Sequence, residues 1–174
     1  VNGAVVLNGG YTTLTSPNYS VNNYLLQVQS GKTLTVNEIR SFNKSTLNRA
    51  NIVLNGGNLK ATGANIFESV SPNGQTYVVT PLSATSTVEY VSSGSQLVYT
   101  DRFVSGNLPL TNSPSFAYSH LKFSGFGQKN VQSGVLNILG NWTSAGGKVE
   151  LRSNNSTVKF SGQPQNITDN GSDT

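Results

Sequence analysis

The 174-residue chain has no cysteine and no methionine, and only 10% of its residues are charged. Without cysteine there are no disulfides and no thiolate metal sites, which excludes the small secreted scaffolds that disulfides hold together. Charge this sparse, against roughly 25% in an average globular domain, excludes a surface built on ion pairs. Apolar runs do not exceed four or five residues, far short of the roughly 20 a spanning helix needs, so no membrane insertion is expected. Eleven Lys and Arg stand against seven Asp and Glu, a formal charge of +4. They form no cluster of three and no stripe, so a nucleic-acid partner is not expected. The chain opens at Val1 with no initiator and no signal-peptide core, and the expectation is a mature or excised piece of a longer chain that continues into neighbouring repeats.

Neutral hydrogen-bonding residues fill the place of charge: 22 Asn, 23 Ser, 17 Thr and 18 Gly. That balance suits an extracellular β-rich repeat protein better than a cytosolic enzyme. The stretch from Ser119 to Gly162 shows the pattern most clearly. Its apolar pairs Leu121/Phe123, Leu136/Ile138, Val149/Leu151 and Val158/Phe160 are each spaced by two, which puts both side chains on one face of a strand. Ser-Gly, Gly-Phe-Gly, Gly-Asn, Ala-Gly-Gly and Asn-Asn-Ser lie between them as turn chemistry. No segment keeps a period of 3.6. Upstream, Leu34/Val36, Ile52/Leu54, Val88/Tyr90 and Leu97/Tyr99 continue the alternation, and Asn-Gly-Gly recurs at Asn8 and Asn55.

Internal echoes point to repetition. Ser86-Thr-Val-Glu-Tyr90 returns as Ser156-Thr-Val-Lys-Phe160, and Ser30-Gly-Lys-Thr-Leu-Thr-Val36 as Ser133-Gly-Val-Leu-Asn-Ile-Leu139. Short strands with repeating polar corners predict an all-β fold, a right-handed parallel β-helix (β-solenoid) with loop insertions. With about 20 to 25 residues per coil it would form seven or eight coils, a rod roughly 35 to 40 Å long. The alternative is an antiparallel β-sandwich. Residues 1–174 read as a single unit, with a possible division or lateral loop near 102–118.

Leu136-Asn-Ile-Leu-Gly-Asn-Trp142, Gly146-Gly147 and Ser156-Thr-Val-Lys-Phe-Ser-Gly-Gln-Pro-Gln-Asn-Ile167 together resemble a repeat of large Bacteroidota cell-surface proteins. These are adhesin-like, gliding-motility-associated products of type IX secretion. The likeness covers about 116–167 and, more weakly, 85–99. It implies an extracellular β-helical stalk or adhesive segment, a non-enzymatic role and no cofactor. The repeat motif is structural and names no ligand; the partner expected is a polysaccharide, or a cell or abiotic surface.

Few residues carry chemistry. The acidic residues Glu38, Glu68, Glu89, Asp101, Glu150, Asp169 and Asp173 show no i, i+2 pair, whereas a glycosidase needs two carboxylates facing one sugar. A polysaccharide-processing β-helix would have to gather Asp101, Glu89, Arg102 or Lys122 on one face. His120 is the only histidine; its place beside Leu121 in the alternation puts it on the outer face or at a corner, and three or four ligands of a metal site are not in view. Trp142 is the only tryptophan, suited either to stacking on a sugar or to packing within the repeat. Tyr90 and Tyr99 read as core or sheet-face positions. Tyr19 and Tyr118 read as loop residues. The candidate ligand set for a carbohydrate-binding module is therefore Trp142, Tyr118, Tyr19 and His120.

Overall fold

The computed structural model describes residues 5–7, 12–13, 24–37, 39–40, 50–66, 78–81, 85–100, 117–151, 155–162 and 164–170. Among them the structure is strand and turn, without helix. Strands β1 (Val5–Leu7), β2 (Thr12–Thr13) and β3 (Tyr24–Gln29) enter three different sheets, and β4 (Thr33–Val36) returns to lie beside β1. The next circuit runs through β5 (Ile39–Arg40), β6 (Ala50–Asn55) and β7 (Asn58–Ala61). It is followed by β8 (Val78–Pro81) and β9 (Thr87–Tyr90), and then by β10 (Gln96–Val98), β11 (Ala117–Tyr118) and β12 (His120–Phe123). The last two circuits contain β13 (Lys129–Val131), β14 (Gly134–Ile138) and β15 (Trp142–Ser144), then β16 (Val149–Glu150), β17 (Ser156–Phe160) and β18 (Ile167–Asp169).

One sheet collects seven of these strands in the order β1-β4-β7-β9-β12-β15-β18. The others are β2-β5, β10-β13-β16, β3-β6-β8 and β11-β14-β17, with β8 lying against β11. Every ladder among the described strands is parallel. Only the isolated bridge between Gln29 and Gly56 is antiparallel. Parallel neighbours require a crossover, not a hairpin, so the antiparallel sandwich alternative is not the fold of these strands.

In the long sheet Val5, Leu34, Leu59, Val88, Leu121, Trp142 and Ile167 stand in one register row. Successive members lie 29, 25, 29, 33, 21 and 25 residues apart, so three intervals fall within the expected range of about 20 to 25 and three exceed it. Seven strands span about 29 Å. The sequence echoes also prove misleading. Residues 86–90 enter the long sheet as β9, whereas 156–160 form β17 of a different sheet; 33–36 and 134–138 are separated in the same way. The true counterpart of Val88-Glu89-Tyr90 is Leu121-Lys122-Phe123. β9 and β12, which flank residues 101–116 in sequence, pair directly.

The core follows the alternation. Leu34, Val36, Leu59, Ala61, Val88, Tyr90, Leu121 and Phe123 are buried from the long sheet, and Val98, Val131, Leu136 and Ile138 from the others. Beside them runs an aromatic file. Tyr90 and Phe123 have ring centroids 5.8 Å apart, Phe123 meets Trp142 edge-on at 5.0 Å, and Trp142 meets Phe160 at 6.4 Å. In β10 the inward residues are Gln96 and Val98, with Leu97 only half-buried, one position out of phase with the Leu97/Tyr99 expectation. Tyr99 is buried too, just beyond the strand end.

Buried polar groups serve the corners. Gln96 donates through Nε2 to the carbonyls of Ala61 and Gly63 at 3.0 and 2.8 Å and accepts from the Ser92 amide at 2.9 Å. Lys129 occupies the same register row one circuit on, fully buried, and its Nζ donates to the Ser92 carbonyl at 2.8 Å. Burial pushes the Lys129 ammonium down in pKa. A buried cation held by a carbonyl costs desolvation that an apolar side chain of like length avoids. Lys129→Met is therefore expected to raise unfolding stability by roughly 1 kcal/mol, as measured by urea denaturation at pH 7.

Candidate functional site

Of the four sequence candidates, Trp142, Tyr118 and His120 are among the described residues, two of them buried and one facing outward. Trp142 is 9% exposed and meets Phe123 and Phe160 edge-on, so most of its surface is spent on packing and the remainder lines a cavity at the far end of the stack. Tyr118 is not a loop residue. It is buried in β11, its hydroxyl donates to the Tyr99 carbonyl at 2.9 Å, and it therefore accepts from the Tyr90 hydroxyl at 2.9 Å. Burial raises both phenol pKa values. His120 faces outward at the start of β12, where its Nδ1 accepts the Asn141 amide at 2.9 Å; the Asn141 Oδ1 in turn accepts the Asn166 amide at 3.0 Å. The imidazole thus ties one circuit's corner to the next. Tyr19, Asp101 and Arg102 lie outside the described residues, as does most of the 102–118 segment.

The outward face of the long sheet brings other residues together. Between the buried rows stands the register row Thr35, Lys60, Glu89, Lys122, Thr143 and Thr168. Glu89 lies at its centre, 2.9 Å from the Lys122 Nζ and 3.8 Å from the Lys60 Nζ. The Ser124 hydroxyl donates to the same carboxylate at 2.6 Å. The lysines keep 42% and 41% side-chain exposure and Glu89 18%, so the cations reach solvent and the anion is recessed between them. A parallel row, Thr33, Asn58, Thr87 and His120, runs along the strand starts. Glu89 and Lys122 were legible as possible members of a charged face; Lys60 was missed. The signal was there in the triplets Leu59-Lys60-Ala61, Val88-Glu89-Tyr90 and Leu121-Lys122-Phe123, apolar on both sides of one charge.

Burial raises the Glu89 carboxyl's pKa, but the Ser124 hydrogen bond and the two lysines outweigh it and hold the group below its usual 4.5. Because the folded value is depressed, the unfolded chain takes up the proton first. The stability Glu89 contributes is complete above about 4.5 and fades as pH falls through the folded value. A Glu89→Gln variant is expected to lose less stability than the parent between neutral pH and pH 3, measured by urea midpoint. Equal acid losses in the two proteins would contradict the assignment.

A second recess lies at the far end of the stack, a cavity of about 750 Å³ walled by Phe126, Trp142, residues 144–149, Asp169 and Asn170. Its neighbourhood exposes Phe126 at 89% and Ile167 at 64%. Among the described residues, no group of three His, Cys, Asp or Glu could hold a metal ion, and no helix is long and apolar enough to cross a membrane. Comparison with family models, curated proteins and solved structures finds no match to this chain.

Proposed function

We propose that the chain is a segment of a right-handed parallel β-helix that works outside the cell as a non-catalytic attachment or spacer element. Its contact surface is the outward face of the seven-stranded sheet. The observation that carries this reading is the register of that sheet: across six of its seven parallel strands, β4 to β18, one polar row runs from Thr35 to Thr168 outside, and across five of them the apolar row from Leu34 to Trp142 is buried. Strands that visit three sheets and return to the first are what a β-helix requires, and parallel crossovers are right-handed in nearly all folds. The surface chemistry of Thr, Asn and Lys, the low charge and the resemblance of 116–167 to Bacteroidota surface repeats support an extracellular setting. The apolar side chains exposed around Ile167 suit a further circuit stacked on β18.

A polysaccharide-processing role has less behind it. Glu89, ionised between two lysines and a serine, is in the wrong state to donate a proton at neutral pH. The test is a binding panel of neutral and anionic polysaccharides with polymer length monitored, using the parent chain, Thr143→Glu on the sheet face and Phe126→Ser at the end cavity. Saturable binding lost only in Thr143→Glu, with polymer length unchanged, is the expected result. Shortened polymer would overturn the non-catalytic reading, and loss only in Phe126→Ser would move the contact surface to the cavity. Binding to nothing would leave the spacer role alone.

A further inference from the structure

Resting on that contact surface, we infer that the Lys60–Glu89–Lys122 row selects a ribbon-like polyuronate, a linear polysaccharide whose alternate sugars turn their carboxylates to the same side. Lys60 and Lys122 sit on β7 and β12, with only β9 between them. Two strand spacings separate them along the stack, about 9.6 Å. A flat two-fold ribbon lying across the strands presents one carboxylate to the sheet for every two sugars, a length that matches this interval. The sugar between directs its carboxylate away. That alternation is what Glu89 demands, because a ligand anion facing the sheet at the middle position would meet the recessed carboxylate directly.

Charge density separates this ligand from nucleic acid. Duplex DNA carries a charge about every 1.7 Å of axis, whereas this row offers two cations over its length with an anion between. The row holds one positive charge in excess, and both ammonium groups are about two-fifths exposed. They can turn from Glu89 towards a ligand without uncovering the core. Thr35, Thr143 and Thr168 continue the row on both sides with neutral hydroxyl-bearing residues.

The experiment is calorimetric titration of the purified chain with three size-matched probes: β-1,4-linked polymannuronate, neutral β-1,4-mannan and single-stranded oligodeoxynucleotide. The parent, the double variant Lys60→Gln/Lys122→Gln and Glu89→Gln are compared, with a thermal melt on each to establish folding. Polymannuronate is expected to bind best, to weaken as salt rises, and to lose about tenfold in affinity in the double variant, since each surface ion pair is worth up to a factor of about five. Glu89→Gln is expected to bind at least as tightly as the parent and to tolerate polymers with carboxylates facing one side at every sugar. Polymannuronate binding unchanged in the double variant, or tighter binding of the oligonucleotide, would overturn the inference. Mannan binding equal to polymannuronate would overturn it too, yet leave the contact surface standing if Thr143→Glu abolishes both.

Discussion

Phe123→Ala is expected to lower the free energy of unfolding by about 3–5 kcal/mol, the range for removing a fully buried phenylalanine. Phe123 is fully buried at the centre of the aromatic file, with Tyr90 on one side and Trp142 on the other. Its row runs through Val36, Ala61, Tyr90 and Ser144. The rings before and after it are in different circuits, so the cavity cannot close unless two circuits move together. Relative to a typical total of about 5–15 kcal/mol, this loss would bring the urea midpoint down severely. Trp142→Phe keeps most of the packed area and is expected to cost less while leaving polysaccharide binding unchanged. A selective loss of binding in Trp142→Phe would contradict the structural role given to the indole. A Phe123→Ala protein within about 1 kcal/mol of the parent would contradict the file itself.

Gly127→Ala is expected to be comparably damaging, though it adds a single methyl group. A Cβ at Gly127 would lie 1.8 Å from the Gly94 carbonyl oxygen one circuit below, so backbone, not a movable side chain, blocks it. Relief means separating the corners, and the adjacent bonds from the Gln96 amide to the Gln128 carbonyl and from the Lys129 amide to the Lys148 carbonyl, 2.8 and 2.7 Å, would stretch. The expected cost is about 3 kcal/mol or more, in the range of overpacked sites. Gly31 is the matched control. It has positive φ, 71°, but open space around its Cβ position, so alanine there costs only the left-handed backbone term, about 1 kcal/mol. Urea denaturation of both variants decides the matter: equal effects would mean that corner stacking is not what Gly127 provides.

The strands were legible because their alternation is local. Leu121 and Phe123 bury, Lys122 does not, and the sequence shows this directly. What defeated the reading was anything set by stacking between circuits. The Ser86 and Ser156 echoes share a turn followed by a strand, and that local likeness carries no information on which sheet the strand joins. Tyr118 sits next to a polar, proline-marked stretch and so looked like a loop, yet its hydroxyl closes a hydrogen-bonded chain with Tyr90 and Tyr99 from other parts of the sequence. His120 looked outward-facing and is, but its partner Asn141 belongs to the next circuit. The charged row stayed hidden for the same reason. Lys60, Glu89 and Lys122 are 29 and 33 residues apart, and unequal circuit lengths erase the period that would have aligned them.

The most direct test of the stack is a pair of distances by double electron–electron resonance. The chain has no cysteine, so spin labels can be placed by Thr35→Cys with Thr143→Cys, and by Thr35→Cys with Thr168→Cys. Thr35 and Thr143 are four strand spacings apart in one row and Thr168 is one further. The account predicts distances centred near 19 and 24 Å, differing by about one strand spacing. Two equal distances, or values differing by much more than one spacing of about 5 Å, would contradict the stacked register on which the contact face depends.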